Sequence, residues 1–192
     1  MNNEFTNPWQ VTGQKDIYDN PWISLTEYKV INPSGGSGIY GKVHFKNLAI
    51  GIVPLDANMN TWLVGQYRFV LDQYSWEIPE GGGELGIEPV ESAKRELLEE
   101  TGLVAKQWTP ILQMHLSNSV SDEYAIIYLA QELEQHIASP EETEQLSVKQ
   151  LPFEDVLKMA EEGTITDAMT IAAVLKIKLM MINGQIPAKT ND

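Results

Sequence analysis

The strongest constraint on this chain is a helix-like segment that carries three acidic residues on one side. The segment ends in the run RELLEETGL, in which Glu96, Glu99 and Glu100 stand at positions i, i+3 and i+4. Those offsets place the three carboxylates on one face of a helix, where they repel one another. A hard divalent cation such as Mg²⁺ removes the repulsion, because it prefers oxygen ligands. The pattern therefore predicts a helix whose acidic face holds a metal, with Glu100 facing solvent and metal rather than the core.

The same segment resembles the Nudix box, whose pattern is G-x5-E-x7-R-E-U-x-E-E-x-G-U, with U an aliphatic residue. Gly81 matches the opening glycine. The closing half of the pattern is matched by Arg95, Glu96, Leu97, Glu99, Glu100, Gly102 and Leu103. One position departs, since the family's first glutamate falls on Ile87 and Glu88 stands one place later. In the family that glutamate supports the box rather than holding the essential metal, so the departure concerns loop geometry more than catalysis.

Composition excludes several classes of protein. The chain has 192 residues, no cysteine and a formal net charge of −14. Without cysteine it can have no disulfide, thiolate zinc site or cysteine nucleophile, and so acidic a chain lacks the basic footprint of a nucleic-acid-binding protein. No apolar run is long enough to span a bilayer, and residues 1–10 do not read as a secretory signal. We therefore expect a cytoplasmic protein with no membrane or nucleic-acid partner.

The order of strand-like and helix-like segments predicts an α/β (α+β) fold. Residues 1–46 are expected to form a polar lead-in over 1–19 and then a β-hairpin, with strands over 22–32 and 39–45 joined by the turn PSGGSG. Further strands are predicted over 48–55, 61–70, 76–79, 110–114, 124–130 and 146–151, with a loop over 131–144. Helices are predicted from Pro89 to Gly102, over 153–162 and over 167–181, with Thr166 or Asp167 as the cap of the last one. Residues 47–192 would then form a Nudix domain, an α/β/α sandwich with a mixed β-sheet.

Beyond the box, the chain resembles the ADP-ribose pyrophosphatase group of the family from about Trp22 onward. The resemblance is carried by VGQYR at 64–68, WEIPEG at 76–81 and EGTITD at 162–167. It implies hydrolysis of the pyrophosphate bond of ADP-ribose or a related nucleoside diphosphate sugar, giving NMP plus sugar phosphate, with Mg²⁺ or Mn²⁺ as cofactor. It also implies a homodimer formed partly through the hairpin.

Other functions remain open at this stage. A GDP-mannose or UDP-sugar pyrophosphatase and a nucleoside triphosphate pyrophosphohydrolase would use the same box. A non-catalytic ligand sensor with this fold is disfavoured, because such a protein should show damaged box carboxylates and all three are present here.

The resemblance also implies roles for individual residues of the box and the strand before it. Glu96 and Glu100 would be the principal metal ligands, and Glu99 would serve a second or third metal. Glu80, which precedes the opening glycine, would lend its backbone carbonyl to the metal. Arg68 would reach a substrate phosphate, for which its planar guanidinium is suited; the alternative is an ion pair at the surface.

The resemblance also implies roles for two further pairs of residues. Glu142 and Glu144 match acidic residues of a late loop, where Glu142 would accept the proton of the attacking water and Glu144 would contact the substrate. The alternative is a solvated acidic loop. Trp22 and Tyr40 match aromatics that stack on the base, the alternative being hairpin or dimer packing.

Asp122 and Glu123 follow a Ser-rich stretch and occupy a loop that faces the site in the family. Capping of that loop is at least as good an interpretation of both residues.

Overall fold

The computed structural model describes residues 6–138 and 145–186, and the chain divides into two compact units. The first unit contains the residues before Leu48 together with Ser117–Glu123, and the second contains Leu48–Leu116 and the residues from Tyr124 onward. Among the described residues, no helix is long and apolar enough to cross a membrane.

The first unit is built on a three-stranded antiparallel sheet. Its strands, in their order across the sheet, are β1 (Gln10–Asp19), β2 (Ile23–Ile31) and β3 (Ser37–Phe45). Strands β2 and β3 are the predicted hairpin. The Asn32 side chain accepts hydrogen bonds from the backbone N–H groups of Ser34 and Gly36, at 3.0 and 2.9 Å, and so fixes the turn between them.

Strand β1 corrects the expectation of a polar lead-in over residues 1–19. Nine of its ten residues are exposed and the tenth is only half-buried, so no alternation of buried and exposed positions marks it as a strand. Register shifts between Val11 and Gly13 and between Asp16 and Tyr18 also interrupt its pairing with β2. The strand exists because its backbone pairs with β2, and that partner is not visible in the local sequence.

The segment 117–123 runs beside β3 within the same unit. The N–H of Val43 donates to the carbonyl of Val120 at 2.9 Å, and the N–H of Asp122 donates to the carbonyl of Val43 at 3.1 Å. These bonds attach a stretch that is distant in sequence to the edge of the first unit's sheet.

Asp122 fixes that segment with its side chain. Its carboxylate accepts from the Phe45 N–H at 3.0 Å, and lies 2.7 Å from Lys42 Nζ and 2.8 Å from His44 Nδ1. Partial burial acts to raise the pKa of Asp122, but the bonds from Lys42, His44 and Phe45 outweigh it and hold this pKa well below its usual range. The contacts of Asp122 match the loop-capping interpretation. Burial raises the pKa of the neighbouring Glu123.

The second unit contains seven strands and three helices among the described residues. The strands are β4 (Asn47–Pro54), β5 (Asn60–Arg68), β6 (Gln73–Glu77), β7 (Glu80–Glu84), β8 (Leu103–His115), β9 (Tyr124–Gln135) and β10 (Ser147–Pro152). The helices are α1 (Pro89–Thr101), α2 (Phe153–Glu161) and α3 (Ala168–Ile182). One sheet has the order β7-β4-β9-β8 and is mixed, since β4 and β9 are parallel while β8 and β9 are antiparallel. The other sheet, β10-β5-β6, is antiparallel.

Helices cover both faces of the mixed sheet. Because side chains alternate across a strand, Ile50 and Ile52 of β4 join the core cluster that contains Leu97 of α1. Val53 points to the other face and joins the cluster that contains Ala173 of α3. The predicted α/β/α sandwich with a mixed sheet is thereby confirmed.

The ends of α1 follow its sequence signals. Pro89 occupies the first turn, and Gly102 ends the helix with φ +72° while its N–H donates to the Leu98 carbonyl. The left-handed conformation at Gly102 is one that residues with a Cβ rarely adopt.

Two strands are longer than the sequence predicted. Strand β8 begins at Leu103 rather than at Pro110, and β9 runs on to Gln135 where a loop over 131–144 was expected. The residues added to β9 are mostly polar and exposed, whereas those added to β8 mix buried Leu103 and Ala105 with exposed polar positions. They are extended because β8 and β9 pair with each other over almost their whole length.

Candidate active site

Helix α1 carries the acidic face that the sequence predicted, but that face is more buried than expected. Glu96 is 9% exposed and Glu100 only 3% exposed, so the expectation that Glu100 faces solvent was wrong. Glu99 is more open and forms an ion pair with Arg95 at 2.8 Å. Burial of two carboxylates on one helix is costly unless ligands compensate their charge.

The opening glycine of the box is explained by Glu96. A Cβ on Gly81 would lie 2.2 Å from the carboxyl carbon of Glu96, which is inside any van der Waals contact. Arg95 braces the same region, since its Nη2 donates to the Gly82 carbonyl at 3.1 Å and to Glu96 Oε1 at 2.7 Å. The glycine strand β7 and the carboxylate of α1 are therefore packed directly against each other.

The backbone before Gly81 is held from three directions. The N–H of Ile78 donates to the hydroxyl of Thr170 on α3 at 2.9 Å. The carbonyl of Pro79 accepts from the N–H of Ile52 on β4 at 2.8 Å. The N–H of Glu80 donates to Oε2 of Glu100 at 3.1 Å. The turn between β6 and β7 is thus fixed to α3, to β4 and to α1.

A second cluster of acidic side chains lies at this turn. Glu77, Glu80 and Asp167 place carboxylate oxygens within 4.8 Å of one another. Arg68 neutralises part of this charge: its Nε and Nη2 bind both oxygens of Glu77, and its Nη2 also donates to Glu80 Oε1 at 2.6 Å. Of the two caps that the sequence offered for α3, Thr166 and Asp167, the structure uses Asp167, whose side chain accepts from the Thr170 N–H at 2.6 Å.

Glu80 is the least satisfied member of this group. Its Oε2 is buried and has no hydrogen-bond partner among the described residues. Burial raises the pKa of Glu80 well above the usual carboxyl range, and the nearby charges of Asp167 and Glu77 raise it further while Arg68 opposes them.

The donor set around the start of the box fits a hard divalent cation. Glu96 and Glu100 are buried and offer carboxylate oxygens as ligands, and Glu99 lies beside Glu100 on the same helix. The missing Cβ at Gly81 provides the close approach of backbone to carboxylate that such a site needs. Oxygen ligands of this kind suit Mg²⁺ or Mn²⁺ rather than a soft metal.

Tyr40 lies on the first unit, where it lines a cavity of about 350 Å³ together with Trp9 and Tyr28. Its ring packs edge-on against Trp9 with centroids 5.5 Å apart, and its hydroxyl donates to the Ser119 carbonyl at 2.9 Å. Trp22 is 66% exposed and is not among the residues that line the cavity.

Glu142 and Glu144, the predicted base and substrate contact, lie outside the described residues.

Sequence reasoning missed Glu77 and Thr170, and it assigned Asp167 only as a helix cap. Glu77 offered a signal, because it is an acidic residue between Trp76 and Ile78 in a short extended segment that packs into the core. Thr170 offered none, since a threonine inside an apolar helix is ordinary in sequence.

Comparison with known proteins agrees with this geometry. The family model described as the NUDIX domain matches residues 45–172. The chain is 34% identical over 133 residues to the ADP-ribose pyrophosphatase of Bacillus subtilis, over 68% of this chain and 72% of the relative. It is 32% identical over 174 residues to the ADP-ribose pyrophosphatase of Mycobacterium tuberculosis, over 88% of this chain and 83% of the relative.

The fold also has a counterpart among solved structures. The crystal structure of an ADP compounds hydrolase is similar to this one with a TM-score of 0.84, covering 96% of this chain and 100% of that chain. Sequence identity is 19%, so this likeness concerns the fold.

Proposed function

The chain belongs to the Nudix family and is a hydrolase, and we propose that it cleaves the pyrophosphate bond of ADP-ribose or a closely related nucleoside diphosphate sugar. The products would be a nucleoside monophosphate and a sugar phosphate. The observation that carries the proposal is the pair of buried carboxylates, Glu96 and Glu100, packed against the glycine strand of a Nudix box that retains all three closing glutamates. The substrate class is supported by the two relatives named ADP-ribose pyrophosphatase.

Nudix enzymes generally use divalent metal ions, and we propose Mg²⁺, with Mn²⁺ as a substitute. The carboxylates of Glu96, Glu99 and Glu100 and the backbone carbonyl of Glu80 would hold it. When bound, the cation supplies charge neutralisation at the phosphate oxygens and lowers the pKa of water. Arg95 pairs with both Glu96 and Glu99 and so holds their side chains in place.

Arg68 already uses most of its hydrogen-bond donors within the protein, so only part of its guanidinium is available to a substrate. Its Nε and Nη2 are committed to Glu77 and Glu80, which leaves Nη1 as the donor for a substrate phosphate.

We propose that Glu142 accepts the proton of the attacking water and that Glu144 contacts the substrate. A positioned base of this kind contributes roughly 10²- to 10⁴-fold to the rate.

The first unit is proposed to serve recognition and assembly, and residues 47–192 the chemistry. Tyr40 and Trp22 would stack on the base. A homodimer would cover the apolar side chains that the first unit leaves exposed, which include Val11, Tyr18 and Ile39 at 60%, 54% and 69% exposure.

A panel assay tests the proposal. Purified protein with Mg²⁺ is given ADP-ribose, GDP-mannose, UDP-glucose, NADH and 8-oxo-dGTP in parallel, and the products are identified. We expect the highest kcat/KM with ADP-ribose and the products AMP and ribose phosphate. Faster turnover of 8-oxo-dGTP than of every sugar diphosphate would overturn the assignment in favour of a triphosphate pyrophosphohydrolase.

A further inference from the structure

Residue 80 is connected to two different parts of the second unit. Its backbone N–H is bonded to Glu100 Oε2 at 3.1 Å, and its side chain is bonded to Arg68 Nη2 at 2.6 Å. Arg68 is itself fixed, because it also binds both carboxylate oxygens of Glu77, whose side chain is only 4% exposed. The Glu80 side chain therefore ties the backbone beside Glu100 to a rigid point on β5 and β6.

Apart from its ion pair with Arg68, the surroundings of the Glu80 side chain are unfavourable for stability. One of its oxygens is buried without a hydrogen-bond partner, and its carboxylate lies close to those of Glu77 and Asp167. An unsatisfied buried acceptor and a like charge nearby both destabilise a fold. Arg68 would keep a bidentate partner in Glu77 without it. A residue that costs stability where a small one would suffice calls for a functional explanation.

We propose that the Glu80 side chain is a positioning residue for the metal site: its bond to Arg68 holds the peptide at residue 80, and through the Glu80 N–H it sets the orientation of the Glu100 carboxylate. This inference rests on the metal site proposed above. It adds a function for the side chain of Glu80, which is separate from any use of its backbone carbonyl. Partners that orient metal ligands in this way typically change metal affinity by about 10- to 100-fold when they are lost.

Two substitutions separate positioning from simple charge. Glu80→Gln removes the negative charge but keeps an oxygen that can accept from Arg68. Glu80→Asp keeps the charge but is one methylene shorter and cannot reach Arg68 from the same backbone. Glu80→Ala loses both the charge and the bond. Asp167→Asn is the matched control, because it removes a charge from the same group while asparagine retains the helix cap.

The measurement is Mn²⁺ binding to the full-length protein without substrate, by titration with electron paramagnetic resonance of the free ion. Positioning predicts that Glu80→Gln binds Mn²⁺ within about threefold of the wild type, whereas Glu80→Asp and Glu80→Ala bind about 10- to 100-fold more weakly. Asp167→Asn should resemble Glu80→Gln. Thermal unfolding should show Glu80→Ala at least as stable as the wild type, so that weak binding is not a consequence of misfolding.

The opposite order overturns the inference. If Glu80→Asp binds like the wild type while Glu80→Gln, Glu80→Ala and Asp167→Asn all bind weakly, the residue acts through its charge alone. If no variant changes Mn²⁺ affinity, the side chain has no positioning role. If Glu80→Asp and Glu80→Ala do not fold, the side chain serves the fold itself, and the inference is overturned. These outcomes are independent of the substrate: a wild type that binds Mn²⁺ but fails to hydrolyse ADP-ribose would refute the proposed function and leave this inference standing.

Discussion

The carboxylate of Glu96 fills the space that a side chain on residue 81 would need. A Cβ at Gly81 would lie 2.2 Å from Glu96 Cδ and 2.3 Å from Glu96 Oε1. The opening glycine of the box and the Glu96 carboxylate are therefore one packing unit, although fifteen positions separate them in the sequence.

Gly81→Ala is expected to displace Glu96 rather than merely to strain the backbone. Glu96 is buried against β7 and braced by Arg95, so the carboxylate must turn away from its place. Misplacement of a reacting group by about 1 Å can cost on the order of 10²-fold in rate, and kcat with ADP-ribose should fall by about that factor. Gly38→Ala is the control, because a Cβ there meets nothing within 4 Å; equal kcat losses in both variants would contradict the explanation.

Glu100→Gln is expected to abolish most turnover while leaving the fold intact. Glutamine has nearly the same shape and still offers an oxygen to the N–H of Glu80, so thermal unfolding should change little. Loss of a ligand charge at a metal site removes several kcal/mol of transition-state stabilisation, so kcat should fall on the order of 10³-fold. Glu99→Gln, at a more open position, should have a smaller effect. Near-wild-type kcat for Glu100→Gln would refute the assignment of Glu100.

Much of this arrangement could be predicted from sequence because the signals are local. Helical spacing places Glu96, Glu99 and Glu100 on one face. Gly102 ends the helix in a left-handed conformation, which glycine adopts readily. The start of α2 at Phe153 and the cap of α3 at Asp167 also follow from short-range patterns.

What sequence could not supply depends on partners far along the chain. Strand β1 exists through its pairing with β2, and Thr170 reaches Ile78 across 92 positions. The burial of Glu100 could not be read from its helical spacing, which gives a direction on the helix but not what the helix packs against. The commitment of Arg68 to Glu77 and Glu80 likewise required the hairpin geometry of β5 and β6.

Asp122→Asn is expected to lower stability at neutral pH but not in acid. The pKa of Asp122 in the folded protein lies below its ordinary value of 3.8, so its ionised form stabilises the fold. That stabilisation is complete above the pKa of the unfolded state and is lost as the pH falls below about 4 towards the folded pKa. Unfolding by denaturant should show a difference of about 1 kcal/mol between wild type and variant at pH 7, which shrinks steadily as the pH falls below about 4.

The control for that series is Asp19→Asn, which removes an exposed acid paired with Lys46. If the difference in unfolding free energy between wild type and Asp122→Asn grows as the pH falls, the ionised Asp122 carboxylate does not stabilise the fold.

A homodimer is expected from the exposed apolar surface of the first unit. Ile39→Asp places a charge on β3 at a position that is 69% exposed, so it should not harm the folded unit but should oppose association through that face. Light scattering at micromolar concentration should show a dimer for the wild type and a shift toward monomer for the variant. A wild type that is monomeric and fully active would count against assembly through this unit.

Tyr40 gives the sharpest test of base recognition. Its ring lines the cavity of the first unit, while its hydroxyl binds the Ser119 carbonyl. Stacking on an aromatic ring is worth about 1–3 kcal/mol per base in nucleic-acid complexes, so Tyr40→Ala should raise KM for ADP-ribose by about 10- to 100-fold. The effect should fall on KM rather than kcat, because a contact to the base is equally present in ground and transition states. Tyr40→Phe keeps the ring and loses only the bond to Ser119, so its KM should stay near that of the wild type. If Tyr40→Phe is as impaired as Tyr40→Ala, the residue orders the segment 117–123 instead of contacting the base; and if neither KM changes while Trp22→Ala raises KM, Trp22 is the platform.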